Sequence, residues 1–318
     1  MANKSLNICV LGGTGFVGTE LVTRLCDAGH FVRVPTRNLK HGQHLTVLPT
    51  LQLVVANVHD GRTLGQLFTD MDVVINLIGV LNEHGRQTFR AVHVELASKV
   101  IEAMRAARVP RLLHMSSLGA GAQAPSQYLR SKGEAEALIR VAATSIGATI
   151  FRPSVIFGEQ DTLTNRFAGL LRLGHGVLPL ARPRARFAPI WVHDVADAFM
   201  RALGSRHANG KTHELCGPDV MTLAEIVRAT AEAAGLPCHV IPLPDFVAAA
   251  QGIVMDFLPG KPFSYDNYKS LTIDSVCQND GCATLGVQPV RMRPIIAGYL
   301  RDHSLQRRLD VYRRSATG

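Results

Sequence analysis

The chain has 318 residues, 47% of them hydrophobic and 19% charged, with 34 basic against 25 acidic side chains for a formal charge of +9. This composition supports a sizeable core and excludes an intrinsically disordered chain. The sequence has no stretch of eighteen consecutive apolar residues, which excludes a helical membrane span.

In chain order, short β-branched runs predict strands at 6–11, 31–34, 51–56, 72–77, 111–116 and 147–152. Helix-period segments near 15–28, 61–69, 87–108 and 127–145 fall between them. That alternation predicts an α/β fold of the Rossmann type, a doubly wound parallel sheet. After Pro153 the alternation loosens: 158–190 reads as irregular, followed by a helix at 193–204, a strand at 211–216, a helix at 222–234 and another starting near Asp245 as its N-cap. The expected organisation is a nucleotide-binding core over 1–157, with 158–318 as a smaller lobe interleaved with it as part of one extended domain. That lobe is expected to build a cleft above the strand ends.

Gly12-Gly13-Thr14-Gly15-Phe16-Val17-Gly18 follows the first predicted strand and opens the first predicted helix. Glycines at 12, 15 and 18 suit a tight turn, a close approach to a pyrophosphate and close helix–strand packing. Backbone N–H groups and the helix dipole then meet the phosphates. The second strand runs into Thr36-Arg37, and no acidic residue stands between Asp27 and Asp60 to hold a ribose 2′-hydroxyl. Arg37 instead offers a guanidinium fork for a 2′-phosphate, with Lys40 or Arg33 as helpers, so NADP(H) is preferred and NAD(H) admitted. Asn57 and Val58, past the third strand, are further candidate cofactor contacts.

Asn76-Leu77-Ile78-Gly79 ends the fourth strand, where an open sheet places its ligand crevice. Asn76 reads either as a turn former or as a residue that orders backbone there, and Leu77, Ile78 and Gly79 as cofactor contacts. Met115-Ser116-Ser117 ends the fifth strand, and Tyr128 and Lys132 follow four residues apart on one helix face. An ammonium beside the phenol, with the positive nicotinamide, is expected to lower its pKa and let it trade a proton with a carbonyl or alcohol. His193 and Asp194 read as a helix start, with Asp194 suited to the dipole.

Six scattered cysteines, with no C-x-x-C pair, predict buried thiols rather than a disulfide framework or zinc site, and Cys277 with Cys282 is weak evidence for a metal. Two arginine clusters concentrate charge: Arg182, Arg184 and Arg186, then Arg291, Arg293, Arg301, Arg307, Arg308, Arg313 and Arg314. The second is compatible with a membrane-surface or protein partner, and no nucleic-acid module accompanies either. The apolar-rich helix after Asp245 reads as core or as a docking face. A polar Met1–Ser5 without a signal pattern predicts a cytoplasmic protein, peripheral at the inner membrane if it has a partner there.

The glycine loop, Asn76 to Gly79, Tyr128 to Lys132, Phe151-Arg152-Pro153-Ser154-Val155-Ile156-Phe157-Gly158, Trp191 to Ala196 and Glu214 to Pro218 together resemble an extended or atypical short-chain dehydrogenase/reductase of the NAD-dependent epimerase/dehydratase family. The resemblance covers nearly the whole chain. Tyr128 to Lys132, and Leu258 to Pro262 with Asp266-Asn267, resemble the branch that holds the NADPH-binding accessory subunit of respiratory complex I and its bacterial relatives. It implies that Tyr128 is a general acid/base, that Lys132 holds the nicotinamide ribose and that Pro153 lies at the cofactor. It also implies a serine or threonine that polarises a substrate oxygen; Leu118 stands there, and Ser117, Gln123 or Ser126 are the substitutes in reach. The implied function is a nucleotide-binding accessory or assembly factor of a respiratory or quinone-related system. The alternatives are an oxidoreductase or epimerase working through Tyr128 and Lys132, and a free nucleotide sensor.

Overall fold

The computed structural model describes residues 5–256 and 263–300. In chain order its elements are β1 (Asn7–Leu11), α1 (Phe16–Asp27), β2 (Phe31–Thr36), β3 (Leu51–Val55), α2 (Gly61–Phe68), β4 (Val73–Asn76), a π-helical turn (Arg90–Glu95), α3 (Leu96–Ala107), β5 (Arg111–Met115), α4 (Gln127–Ala142) and β6 (Gly147–Pro153). Then come β7 (Ile156–Phe157), α5 (Leu163–Leu173), β8 (Val177–Ala181), β9 (Arg186–Phe187), β10 (Ile190–Trp191), α6 (Val192–Leu203), β11 (Thr212–Leu215) and β12 (Met221–Thr222). The last are α7 (Leu223–Ala234), β13 (His239–Leu243), α8 (Asp245–Met255), α9 (Tyr265–Ser270) and α10 (Gly281–Thr284).

Two compact units share the chain. The first lies within Met1–Pro153, Val192–Cys216 and Cys277–Gln288; the second lies within Ser154–Trp191, Gly217–Val276 and Pro289–Gly318. The first is a Rossmann-type sheet of seven strands, ordered β11-β6-β5-β4-β1-β2-β3 and parallel throughout. The chain runs outward from β1 to β3, then crosses back to β4. The order therefore reverses beside β1, where open α/β sheets bind ligands at their carboxyl ends.

Both faces of β1 are sealed, as a central parallel strand requires. Cys9 and Leu11 pack with Leu64 and Phe68 of α2, Val100 and Met104 of α3, and Ile139 of α4. On β6, Phe151 stacks on Phe199 of α6 at 4.0 Å between ring centroids. Helices α1 and α6 are bridged by Arg24, which pairs with Asp197 and contacts His193 Nδ1 at 2.9 Å. Pro35 costs β2 no bond to β1, because that ladder ends at Cys9 and Arg33.

The second unit has three two-stranded pairings, β7 with β10, β9 with β12 and β8 with β13. Its core gathers Phe157, Leu171, Phe187, Ile226, Val227, Met292 and Ile296. Residues 158–190, expected to be irregular, contain α5 and β8. Pro179 in β8 and Pro242 in β13 hide that pairing from a propensity reading, since both residues lack the donor a strand interior needs. Asp245 was the expected cap of α8, but it lies inside the helix and Pro244 precedes it. Among the described residues no helix is long and apolar enough to cross a membrane. Leu258 to Pro262 and the arginines from Arg301 onward lie outside the described residues.

Candidate functional site

Every residue assigned to the nucleotide and its chemistry lies in the first unit. Gly12 turns the chain with φ +83°, a conformation that a side chain resists. A Cβ on Gly18 would lie 2.2 Å from the Gly12 carbonyl oxygen, so α1 can close on the loop only through glycine. Gly15 differs: it has φ −86° and the nearest obstacle to a Cβ is 3.3 Å away. A side chain at Gly15 therefore asks only a small shift of the Gly12 carbonyl, whereas one at Gly18 collides with it. Gly15 is also the N-cap of α1 and supplies no side-chain acceptor, and no acid occupies the first turn. The first N–H groups of α1, from Phe16 and Val17, thus face outward without intrahelical acceptors. The loop fits a pyrophosphate.

At the end of β2, Thr36 Oγ1 donates to the Asn38 carbonyl at 2.9 Å, and Asn38 Oδ1 accepts from Lys40 N at 3.0 Å. This braced turn leaves Arg37 and Lys40 exposed. Arg33 is not a helper: its guanidinium donates to Gln52 Oε1 (2.8 Å) and to the Leu67 (2.9 Å) and Thr69 (3.2 Å) carbonyls. Asn57 spends its Oδ1 on the His59 N–H at 3.1 Å, and Val58 packs on the core.

At the end of β4, Asn76 is buried and orders backbone: its Oδ1 accepts from Ile78 N at 3.1 Å. Its Nδ2 donates to His114 Nδ1 at 3.3 Å, which puts the imidazole proton on Nε2. That nitrogen and the Ser116 hydroxyl are buried without a hydrogen-bond partner among the described residues. The helix expected over 87–108 opens instead with the π-helical turn, which brings His93 inward. Val80 N donates to His93 Nε2 (3.2 Å), His93 Nδ1 donates to Ser131 Oγ (2.8 Å), and Ser131 Oγ donates to the Tyr128 carbonyl (2.8 Å). The ring is therefore neutral with a fixed tautomer. Burial, then the Lys132 charge, pushes its pKa down to about 2; burial and Lys132 push His114 down to about 3.

Tyr128 and Lys132 rise from the first turns of α4, which Ser126 caps by accepting from Leu129 N at 3.2 Å. Lys132 is buried, its Nζ donates to the Met115 carbonyl at 3.2 Å, and burial lowers its pKa to about 8 against a smaller upward pull from Glu136. A Cβ on Gly79 would lie 2.9 Å from that Nζ, so the end of β4 and the lysine meet through glycine. The Tyr128 phenol is hydrogen-bonded to Ser117, which lowers its pKa, but burial outweighs this and raises it. The lowering expected from Lys132 is thus absent from the protein alone. Of the three substitutes for the missing hydroxyl, Ser117 is the one at Tyr128. Ser126 is consumed as a cap and Gln123 is exposed. Leu118 is buried and its N–H donates to the Pro153 carbonyl at 3.0 Å, which ties the ends of β5 and β6.

Neither His93 nor His114 stood out in the sequence, where each sits in an apolar run like an ordinary core residue. His193 and Asp194 begin α6 as expected, and no cluster of three metal-binding side chains occurs among the described residues. Arg182 pairs with Asp245 at 2.8 Å and lies over the Tyr268 ring, so the first arginine cluster is partly spent within the second unit. The expectation that no cysteines pair fails: Cys216 and Cys277 form a disulfide, and Cys282 stays a buried thiol. A separation of 61 residues concealed the pair.

Residues 12–182 match the model of a family described as NAD(P)H-binding. The chain is 31% identical to NADH dehydrogenase (ubiquinone) 1 alpha subcomplex subunit 9, mitochondrial, of Arabidopsis thaliana, over 85% of this chain and 71% of the relative. It is 31% identical to a ceramide reductase of Caulobacter vibrioides, over 78% and 77%. The structure of an NADPH-dependent quinone oxidoreductase from Escherichia coli, solved with NADPH, superposes with a TM-score of 0.74 at 18% identity, covering 92% of this chain and 99% of that one. With its glycine loop at the switch point of a parallel sheet and a relative of this closeness over most of its length, the chain belongs to the NAD(P)H-binding family.

Proposed function

We propose that this protein holds NADP(H) as an accessory or assembly factor of a respiratory or quinone-related system, peripheral at a membrane. The observation that carries the reading is the pairing of a phosphate loop with an exposed Arg37 where an NAD-selective site would carry an acid. Arg37 supplies charge-assisted hydrogen bonds to a 2′-phosphate, with Lys40 nearby. In this reading the loop from Gly12 to Gly18 would hold the pyrophosphate, Leu77, Ile78, Gly79 and Pro153 would border the nicotinamide, and Lys132 would bind its ribose. The similarity to the plant alpha subcomplex subunit supports the assembly role.

A second reading, an active reductase or epimerase, is favoured by the hydrogen bond between Ser117 and Tyr128 and by the similarity to a ceramide reductase. A bound nicotinamide supplies or accepts the hydride in such chemistry. Tyr128 would give its proton to the substrate oxygen, Ser117 would hold that oxygen, and Lys132 would favour the phenolate once the proton has left. The raised pKa of Tyr128 keeps the phenol protonated in the protein alone, the form that can give a proton to a carbonyl oxygen but cannot take one from an alcohol.

Native electrophoresis of gently solubilised membranes from the host separates the two. Migration with a large respiratory assembly, with NADPH retained, supports the accessory role. Migration as a free small species with exchangeable nucleotide and activity that Tyr128→Phe abolishes supports the enzyme.

A further inference from the structure

The first unit is interrupted at Gly217 and resumes at Cys277, so the two residues at the ends of this excursion are Cys216 and Cys277. They are joined through their sulfurs, with Cα atoms 6.0 Å apart. A polar brace lies beside the bond. Glu214 Oε2 accepts from the N–H groups of Gln278 (2.7 Å) and Asn279 (3.0 Å), holding the returning segment against β11. Both cysteines are only half-buried, and residues 278–280 beside them are exposed. One further contact makes the two sulfurs unequal: the Cys277 N–H donates to Cys216 Sγ at 3.0 Å.

We propose that Cys216–Cys277 is a reversible thiol–disulfide exchange site for a low-molecular-weight thiol of the glutathione class, with Cys277 as the sulfur attacked. The incoming thiolate attacks Cys277 Sγ and forms a mixed disulfide. The bond between the two protein sulfurs breaks, and its electron pair leaves on Cys216 Sγ. The Cys277 N–H already points at that sulfur and stabilises the departing thiolate, which then takes a proton from water. A second thiolate attacks the small-molecule sulfur, releasing the symmetrical small disulfide and the Cys277 thiolate. In sum, two small thiols are oxidised and the protein disulfide is reduced to two thiols; the small disulfide drives the reverse. The Glu214 brace keeps the cysteines within reach after reduction, so the site can close again.

The small thiol has to come from solution. Cys282 is the nearest other cysteine, but it is buried, its Sγ donates to the Cys216 carbonyl at 3.7 Å, and burial pushes its pKa up to about 11. It stays a thiol and does not compete as a nucleophile. The site is independent of the nucleotide reading, since none of its atoms belongs to the loop or to the Tyr128 group.

The test is to equilibrate the full-length protein anaerobically in buffers of reduced and oxidised glutathione, quench with acid, alkylate and map the cysteines by mass. The expected result is that Cys216 and Cys277 open and close together, reversibly, at intermediate buffer ratios. Limiting oxidised glutathione should load the single cysteine left in Cys216→Ser and in Cys277→Ser as a mixed disulfide, and neither variant should form the internal bond. Brief exposure of the wild-type disulfide to limiting reduced glutathione should place the adduct on Cys277, a readout that survives if either variant fails to fold. A pair that stays closed in fully reduced glutathione, a pair that stays open in every buffer, or an adduct on Cys216 overturns the proposal.

Discussion

The His93 ring stands edge-on to the Tyr128 ring, with centroids 5.6 Å apart and planes at 77°. Both of its nitrogens are engaged, one by the Val80 N–H and the other by Ser131. The imidazole therefore sets the wall against which the tyrosine lies without competing for its proton. His93→Phe keeps the ring but strands the Val80 N–H. Leaving this half-buried donor unpaired costs about 1 kcal/mol, readable as a shift of the urea midpoint. Unchanged stability would mean that the Val80 hydrogen bond contributes nothing.

The glycine loop separates folding from binding. Gly18→Ala drives a methyl into the Gly12 carbonyl and should cost about 1–3 kcal/mol or more. Gly15→Ala meets no such obstacle and should melt within a degree or two of the wild type while losing most of its nucleotide affinity. Calorimetric titration of both variants, next to their melting curves, checks the split.

Glu136 is fully buried and holds two guanidinium groups, Arg140 at 2.7 Å and Arg152 at 2.6 Å, and Arg152 also donates to the Ala120 carbonyl at 3.0 Å. Truncating Glu136 leaves the partly buried Arg152 guanidinium without its carboxylate, while Arg140 is exposed enough to turn to water. Glu136→Ala should therefore cost about 1.5–3 kcal/mol. Chemical denaturation measures it, and a loss below about 1 kcal/mol would show that water enters and repairs the site.

Acid should unfold the protein through its histidines. His93 and His114 titrate in the folded chain at about 2 and about 3, both mainly because of burial, against 6.5 when exposed. The folded state holds them neutral while the unfolded state takes up protons below 6.5. Their contribution is full above that pH and lost as pH falls through it toward 3, at about 1.4 kcal/mol per unit for each histidine. Lys132, lowered to about 8, works at the other end: the cost of burying its charge is relieved as pH rises from about 8 to 10.5. Urea midpoints between pH 7 and 5 should show the acid slope, and His114→Gln should reduce it.

The six strands of the glycine-loop half were legible because β-branched runs alternated with helical periods, and Gly12, Gly15 and Gly18 announced their own turn. Three things were not. A π-helical turn has no distinct composition, so Arg90–Glu95 read as ordinary helix and His93 as core. His114 owes its polar role to Asn76, 38 residues away, which only sheet pairing brings near. The Cys216–Cys277 bond spans an excursion into another unit, and no local spacing marks such a pair. Arg33 shows the reverse error: the sequence offered it as a phosphate ligand, and the Leu67 and Thr69 carbonyls had already taken it.

Titration of the purified protein with NADPH and with NADH measures the selectivity proposed for Arg37. NADPH is expected to bind at least about tenfold more tightly, the equivalent of ~1.4 kcal/mol, and Arg37→Asp to remove this preference without changing the melting temperature. Equal affinities in the wild type, or an Arg37→Asp variant that keeps the preference, would contradict it.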